Sequence, residues 1–587
     1  MATPTVTHDV VTYDIQVDNK TVDPTLQVLS IGITKELNKV PYAKLVFRDG
    51  SASEQKFDIS NKDFFIPGKK IKIRIGHDGN NQQAFLGIVT RHAIRVKENG
   101  SSELHVECRD ESVKMTIGRF SKYFENVKDN ELIDELIGKY SNLKSDLEKT
   151  KLKHKQIVQH HISDWDFMLL RAEANGMLVN VDDGNIKVSK PDTSSKPVAK
   201  IVFGSSVLEF EAEMDARNQW KNVAAHSWDF SSQKLFNADT SSANFTEPGN
   251  IAGSDLANAI NLEHYDMHHS GYLLEQELQD WVDGIMLRSR LGKIRGRAKV
   301  TGTSDIKLGN MVALDGVGDR FNGNAYVTGM RHEIGNGMWD SHIQFGLDPE
   351  RFSEVHDKNL NDRESAGLVG SIHGLQIGIV SQLENDPNGE NRILVRTPTI
   401  DDSGKGIWTR VASLDAGDDR GAFFMPEIGD EVILGFINDD PRHPIVLGML
   451  HSSAKPAPIT PQDANNEKGF TTRSKMHVSF NDQTKTITID TPAGNSIVLD
   501  ESGTKVEITD QNTNKITMDS SGISVQSPMN IELKAGVNLT LSAGATLSIG
   551  GVSISVKADG NVSMEGALAK LSSQGITEIS GSIVKIN

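Results

Sequence analysis

The sequence predicts a mainly β protein in three parts: a mixed α+β N-terminal region, a small barrel and a C-terminal prism shared by several chains. Aromatic residues form only 6% of the 587 residues, whereas glycines number 51, a balance typical of many short strands and turns. Composition also changes along the chain, since residues 481–587 contain no Phe, Tyr, Trp, His, Arg or Cys. A chain of this length has room for three or more domains.

The N-terminal region, residues 1–365, mixes strand-like runs with a few helices. The segment 129–140 predicts a helix whose apolar face holds Leu132, Ile133, Leu136 and Ile137. Ser163 followed by Asp166 predicts a capping box that opens a second helix, and Gly176 is a plausible stop for it.

Two stretches of this region are alike, residues 67–110 and 308–348. Each contains a Gly, a strand-like run, a Gly-rich turn, Phe or Tyr, Val-Thr, a basic residue with His, and a final alternating run. The pattern predicts an internal duplication. Coincidence between two β-rich segments is the alternative.

Residues 370–453 predict a five-stranded barrel of the OB type. The candidate strands are LQIGIVSQL, NRILVRT, GIWTRVASL, GDEVILGFI and HPIVLGML. About 80 residues in five strands with Gly-rich turns is the size of an OB barrel. Such barrels often bind oligonucleotides, but the loops here are acidic, which disfavours that role. The acidic loop residues are Asp401, Asp402, Asp415, Asp418, Asp419, Asp439 and Asp440. A Pro-rich linker, residues 454–470, follows.

The last part, residues 471–587, consists of aliphatic pairs two residues apart. They begin at Ile487/Ile489 and continue to Val562/Met564, first about every ten residues and, from Ile523, about every eight. An i, i+2 pair places both side chains on one face of a strand.

Eight residues make one strand and a turn, which cannot enclose a core. A single-chain β-solenoid needs roughly 20 or more residues per coil, and a lone meander would expose its aliphatic face and its edges. Several chains wound together solve the problem, and three is the smallest number of walls that encloses an interior. An ordinary β-sandwich is the alternative, which the long stretch without an aromatic residue disfavours.

Several motifs carry a family resemblance. They are ISDWDFMLLRAEANGML near the N-terminal end, WTRVASLDAG, MPEIGDEVILGF and DPRHPIVLG in the barrel, and TTRSKMHVSFND after the linker. In these motifs the chain resembles the VgrG-type spike proteins of type VI secretion and of extracellular contractile injection particles. It also resembles the hub-plus-spike proteins of contractile phage tails. The resemblance covers essentially the whole chain in the same order.

The resemblance implies a homotrimer with four parts per chain. Residues 1–365 would form a phage-hub-like unit with two tandem tube-like modules, residues 370–453 an OB-fold collar, 454–470 a linker, and 471–587 a trimeric triple-stranded β-helix needle. The implied partners are a hexameric inner tube protein, baseplate proteins, a PAAR-type tip protein at the C-terminal end and effector cargo.

The implied role is mechanical puncturing and docking, not enzymatic. Phage relatives carry a lysozyme domain between barrel and needle, and the linker here leaves no room for one. Two other roles stay open: a spike-borne cell-wall hydrolase and a phage-type receptor-binding fibre. Type VI apparatus, free particle and tailocin are not distinguished.

We predict no catalytic, cofactor-binding or metal-binding residues. Cys108 lies in an alternating run and is expected to be buried and inert. Gly68-Lys69-Lys70 lacks phosphate-loop spacing and is expected to open a strand. His264, His268 and His269 have helical i, i+4 spacing, but no further ligand completes a metal site, so a surface or packed cluster is favoured, as for His160 and His161. The aspartate pairs 401–402 and 439–440 are expected to cap turns.

The formal net charge of −17 argues against a nucleic-acid partner and against docking on an anionic membrane by charge. No secretory signal and no apolar stretch long enough to span a bilayer are visible. We therefore expect synthesis in the cytoplasm, assembly into an injection particle that reaches the extracellular space or a target cell, and contact with a membrane only on puncture.

Overall fold

The computed structural model describes residues 10–98, 101–229, 232–243, 245–261, 264–269, 273–355 and 364–586. Strands dominate these residues, and helices are few and mostly short, which confirms the mainly β prediction. The chain divides into two compact units, residues 1–425 with 433–447 and residues 426–432 with 448–587.

The first third of the chain supplies a sheet and a small α+β insertion. The sheet strands are β1 (Val11–Val17), β2 (Lys20–Thr21), β3 (Val28–Glu36), β4 (Tyr42–Arg48), β5 (Lys70–His77), β6 (Asn80–Val96) and β7 (Ser102–Arg109). The first insertion contains a 3-10 helix (Glu111–Thr116), β8 (Phe120–Lys128), α1 (Asp129–Gly138), β9 (Lys144–Leu147), β10 (Lys153–Ile162), α2 (Asp164–Ala174), β11 (Leu178–Asp182) and β12 (Asn185–Ser189).

The next part returns to the same sheet and carries a second insertion. The sheet-forming strands are β13 (Ala199–Val202) and β14 (Val207–Met214). The second insertion contains β15 (Asn222–Asp229), β16 (Lys234–Thr240), α3 (Gly253–Ala259), β17 (His264–His269) and α4 (Glu275–Gly292). Then come β18 (Ile294–Thr301), β19 (Met311–Asp315), β20 (Gly323–Gly335), β21 (Met338–Phe345), α5 (Phe352–Val355) and a 3-10 helix (Glu364–Gly367).

Two modules with the same strand pairing build this sheet. In the first module, β1, β5, β6, β7, β4 and β3 are neighbours in that order, and in the second β13, β19, β20, β21, β18 and β14 are. Counterpart strands also follow one another in the same chain order, so the predicted duplication of residues 67–110 and 308–348 is confirmed. One difference is that β1 runs antiparallel to β5, whereas β13 runs parallel to β19. The modules join through antiparallel pairing of β20 with β3.

Each module has its own apolar core. Phe47, Phe65 and Phe85 are fully buried in the first, and Phe345 is fully buried in the second. Burying a side chain of this size is worth about 1.5–3 kcal/mol, so each module has a substantial apolar core of its own.

The first insertion confirms both predicted helices. In α1 the four apolar residues at 132, 133, 136 and 137 are buried. The Ser163 hydroxyl accepts a hydrogen bond from the backbone N–H of Asp166 at 3.0 Å, and Gly176 (φ +64°) follows the end of α2.

A buried polar cluster centred on Asp129 ties the insertion together. The Asp129 carboxylate accepts hydrogen bonds from Arg171 Nε at 2.7 Å and Asn175 Nδ2 at 2.9 Å, and lies 3.0 Å from His154 Nε2. Burial opposes ionisation, but these partners hold the pKa of Asp129 well below its usual range. The cluster fixes α1, β10 and α2 to one another.

The barrel is closed, as predicted. Its strands pair in the order β22 (Gln376–Gln382), β23 (Ile393–Arg396), β24 (Ile407–Val411), β28 (Pro444–Met449) and β27 (Glu431–Phe436). A hairpin of β25 (Ala416–Gly417) and β26 (Arg420–Gly421) and a 3-10 helix (Ile437–Asp439) lie between them in sequence. All five candidate strands of the sequence are present.

The C-terminal part contains a seven-stranded antiparallel meander. Its strands are β29 (Glu467–Thr471), β30 (His477–Asn481), β31 (Thr486–Asp490), β32 (Ser496–Asp500), β33 (Lys505–Thr509), β34 (Lys515–Asp519) and β35 (Gly522–Gln526).

Strands are present in the expected series as far as Gln526, and the winding of several chains expected over residues 471–587 stays a prediction. The meander starts inside the expected linker, at Glu467, and the aliphatic pairs beyond Gln526 form no strand within the described chain. The break falls where the ten-residue spacing gives way to eight. Five-residue strands with longer turns can fold back on themselves, whereas the shorter repeat makes no such pairing in the single chain.

Candidate assembly interface

An apolar stripe two residues wide runs across the meander. It consists of two cross-strand ladders, Val478, Ile489, Ile497, Ile508, Ile516 and Val525, and beside it Phe480, Ile487, Leu499, Val506, Met518 and Ile523. Because side chains alternate along a strand, the i, i+2 pairs of the sequence all fall on this face. The other face carries residues such as Thr488, Glu507 and Thr517.

The apolar stripe is open to solvent in the single chain. Ile489 is 44% exposed and Leu499 43%. A contiguous apolar surface of this length marks an interaction site in a folded protein. Full burial of each aliphatic side chain is worth about 1.5–3 kcal/mol, so covering the apolar stripe is strongly favourable.

Residues 527–586 present a more extreme case. Among these described residues, no backbone–backbone hydrogen bond is recorded, and their aliphatic side chains are largely exposed, with Val537 and Ile576 each at 91%. Backbone groups and aliphatic side chains both require partners in a folded structure. Within the described chain, this segment meets neither requirement.

The barrel offers a second apolar surface, beside the β25–β26 hairpin. Leu414 is 91% exposed and Phe423 81%. An ion pair between Arg420 and Asp415 (2.6 Å) braces the hairpin between them. Large side chains held out in this way are suited to contact with another protein surface.

The histidines at 264–269 lie on strand β17, so the helical arrangement considered for them is wrong. Four residues along a strand separate His264 and His268 by about 13 Å, too far to share one ion. The His268 ring instead stacks on His226 of the parallel neighbour β15, with ring centroids 4.9 Å apart. Among the described residues, no group of three His, Cys, Asp or Glu side chains is placed to hold a metal ion. His160 and His161 lie in β10, directly before α2.

The other residues singled out in the sequence have structural positions. Cys108 is fully buried, and burial raises the pKa of its thiol, which keeps it protonated. Gly68 (φ +97°) precedes β5 and Lys70 begins it, which confirms a strand entrance. Asp401 accepts a hydrogen bond from the Ser403 N–H at 2.9 Å, as expected of a turn-capping aspartate.

A cavity of about 420 Å³ lies where the modules meet. Lys35 Nζ pairs there with Asp182 and with Asp183 (3.2 Å), and Asp183 also accepts the Leu86 N–H at 3.0 Å. Burial acts against ionisation of Asp182, yet the charge of Lys35 lowers its pKa. These contacts bind the β11–β12 turn to the first module, and Asp182 also lies 3.9 Å from Lys307 Nζ, which precedes β19 of the second module. Sequence analysis missed this cluster because its members are far apart in the chain.

His332 lines the same cavity, and we expect it to make the modules sensitive to acid. Burial first, and the positive charges of Lys35 and His342 next, lower its pKa to about 4. The unfolded chain binds this proton near pH 6.5, so stability is full above that pH and falls as pH drops toward 4, by roughly 3 kcal/mol. His332→Gln should reduce the loss of thermal midpoint between pH 7 and pH 5. His373→Gln, at an exposed histidine, should keep it, and equal pH dependence in all three proteins would contradict the assignment.

Residues 7–336, more than half of the chain, match the family model described as the Alg8 N-terminal domain. The chain belongs to this family. The Alg8 N-terminal domain of this protein thus spans the first module, both insertions and the second module as far as β20.

Beyond the Alg8 N-terminal domain, residues 376–451 match a second family model, the type VI secretion system/phage-baseplate injector OB domain. This match covers the closed barrel and confirms its OB assignment.

The expected relationship to VgrG-type proteins is likewise confirmed by curated relatives. The type VI secretion system spike protein VgrG3 of Vibrio cholerae is 32% identical over 75 residues, 13% of this chain and 7% of that protein. VgrG4b of Pseudomonas aeruginosa is 39% identical over 57 residues, 10% of this chain and 7% of that protein. The aligned segments therefore span under a tenth of these relatives.

Solved structures also resemble the chain. A tail protein from Neisseria meningitidis aligns with a TM-score of 0.44 and 15% identity, covering 58% of this chain and 97% of that one. A chain from a Francisella PdpA–VgrG complex aligns with a TM-score of 0.38 and 12% identity, covering 89% of both chains. Within the described residues, no helix has the length and apolarity required to cross a bilayer.

Proposed function

We propose that the protein is the trimeric central spike of a contractile injection apparatus. The open apolar stripe, continued by residues 527–586, which as described make no backbone–backbone hydrogen bonds within the chain, carries this proposal. Three copies can enclose the aliphatic side chains around one axis and supply the missing backbone partners between chains. The injector OB domain at residues 376–451 would form the collar of this spike.

The two equivalent modules fit a docking role. Two per chain would give six in a trimer, so a three-fold protein could present a six-fold surface to a hexameric inner tube protein and baseplate. The needle would then concentrate the force of contraction on a small area of a target envelope. A PAAR-type tip protein at the C-terminal end and effector cargo complete the proposed assembly, which would be made in the cytoplasm and act outside the cell or in a target cell.

An enzymatic spike is the alternative with a specific observation behind it. One relative, 32% identical over 75 residues, is named actin cross-linking toxin VgrG1, although the aligned segment is 7% of that protein. If the protein is a cell-wall hydrolase, it should clear peptidoglycan in a zymogram, and if it is a receptor-binding fibre, it should bind intact cells. The spike proposal expects neither clearing nor binding.

The decisive measurement is the mass of the purified protein together with its binding to the tube. Light scattering after size exclusion should give about 193 kDa, three times the 64.2 kDa chain mass. The trimer should bind assembled inner tube protein and not its single subunits. A stable monomer, or a trimer indifferent to tube rings, would overturn the proposal.

A further inference from the structure

Each module leaves one strand edge without a partner. Strand β14 pairs only with β18, and residues 91–96 of β6 pair only with β7, because β5 stops opposite Ile88. Among the described residues, neither edge makes a further backbone hydrogen bond. Open edges of this length invite pairing with another strand.

Within the chain, the equivalent edges are already paired. The counterpart of β6 is β20, the counterpart of β14 is β3, and residues 329–334 of β20 pair with residues 31–36 of β3. The correspondence holds residue by residue because counterpart strands carry a β-bulge at the same point. The bulges lie at Val89/Arg91 in β6, Val327/Gly329 in β20, Val28/Ser30 in β3 and Val207/Glu209 in β14.

We propose that β6 of one copy pairs antiparallel with β14 of the next copy, in the register of the β20–β3 junction. This inference rests on the proposed trimer and specifies how its ring closes. Transferring the observed register gives six facing pairs. They are Arg91 with Asp215, His92 with Met214, Ala93 with Glu213, Ile94 with Ala212, Arg95 with Glu211, and Val96 with Phe210.

Charge supports this register. Arg95 makes no ion pair with the described residues, and it would lie directly opposite Glu211, whose side chain is 71% exposed and pairs only with exposed Arg297 at 2.9 Å. Arg91 would face Asp215 on the same side of the sheet. Opposite charges at facing positions stabilise a strand pair by roughly 0.2–1 kcal/mol each.

Apolar burial supports the same register on the other face. Ile94 is 49% exposed and Val96 68% in the single chain. They would face Ala212 and Phe210, which pack against the core of the second module. A shift by one residue would place Arg95 opposite that apolar face, so the alternation of both strands excludes such a shift.

The arrangement closes the ring with one type of contact. Three β20–β3 junctions within chains would alternate with three β6–β14 junctions between chains. Every module would then contact its two neighbours in the same way, although the chains repeat only three times. A closed ring leaves neither edge exposed, which removes the hazard of open-ended association.

Engineered disulfides in the full chain test the register. Facing residues of an antiparallel pair have Cα atoms about 4.5–5.5 Å apart, within disulfide range. Ile94→Cys with Ala212→Cys, and separately Ala93→Cys with Glu213→Cys, should give covalent trimers on a non-reducing gel. Ile94→Cys with Leu208→Cys is the displaced control and should give none, since four residues along the strand move the thiol by about 13 Å. Each single variant should stay uncrosslinked, because native Cys108 is buried.

Charge reversal at Arg95 and Glu211 provides a second test of the register. In the Ile94→Cys/Ala212→Cys chain, Arg95→Glu should slow crosslinking several-fold, and adding Glu211→Arg should restore it. A trimeric mass without crosslinks at both facing pairs, crosslinking of the displaced pair, or a disulfide within one chain would overturn this register and leave the spike proposal standing. A monomeric mass of the unmodified protein would overturn the spike proposal itself.

Discussion

Ile489→Asp is expected to abolish the trimer while leaving the single chain folded. Ile489 lies within the apolar stripe and is 44% exposed in the single chain, so the carboxylate remains hydrated there. In the trimer three such carboxylates would be enclosed. Lost apolar burial and uncompensated charge together cost roughly 10 kcal/mol or more per trimer. Light scattering should report the mass of one chain.

Thr488→Asp is the matched control, because residue 488 is the neighbour of Ile489 on the same strand and points to the opposite face. It adds the same charge and should keep the trimeric mass. Retention of that mass by both variants would show that the apolar stripe does not hold the chains together.

Asp129→Ala is expected to destabilise the first insertion strongly, so that it unfolds locally far more often. The substitution leaves the 3.6 Å contact with Glu277 as the only carboxylate contact of buried Arg171 among the described residues, and leaves His154 and Asn175 without their shared acceptor. Removing one partner of a buried pair costs about 3–5 kcal/mol. Amide hydrogen exchange in α1 and α2 should accelerate about 100-fold or more, with little change in β31–β34.

The same position allows a finer comparison. Asp129→Asn keeps the shape and loses the charge, so exchange should accelerate less than in Asp129→Ala. Asp134→Ala, at an exposed residue of α1, should change exchange by a small factor. Equal protection in Asp129→Ala and the unmodified protein would mean that packing alone holds the insertion.

Local signals in the sequence predicted several elements well. The five barrel strands are bounded by Gly, Asp and Pro turns, and the α2 start is marked by Ser163 and Asp166, which act on neighbouring residues. The apolar stripe was visible because strand alternation alone determines which side chains share a face.

Features that depend on distant residues were not predictable in this way. Asp129, His154 and Arg171 are scattered over more than 40 residues, and nothing local indicates that they meet. The spacing of His264 and His268 fits a helix as well as a strand, and only pairing with β15 decides between them. The 18-residue helix α4 was missed, since its buried Arg288 and Arg290 interrupt the apolar pattern.

The break at Gln526 has a consequence for the order in which the protein forms. The meander can fold within each newly made chain, since its ladders are intramolecular. In the proposed trimer, residues 527–586 would find their backbone partners only after the chains have met. Eight-residue segments with the same aliphatic alternation could otherwise pair one segment out of register. Contact between three folded meanders along their apolar stripes would fix the register of the chains at Gln526. Pairing between the chains would then continue from that residue toward the C-terminal end in the same register.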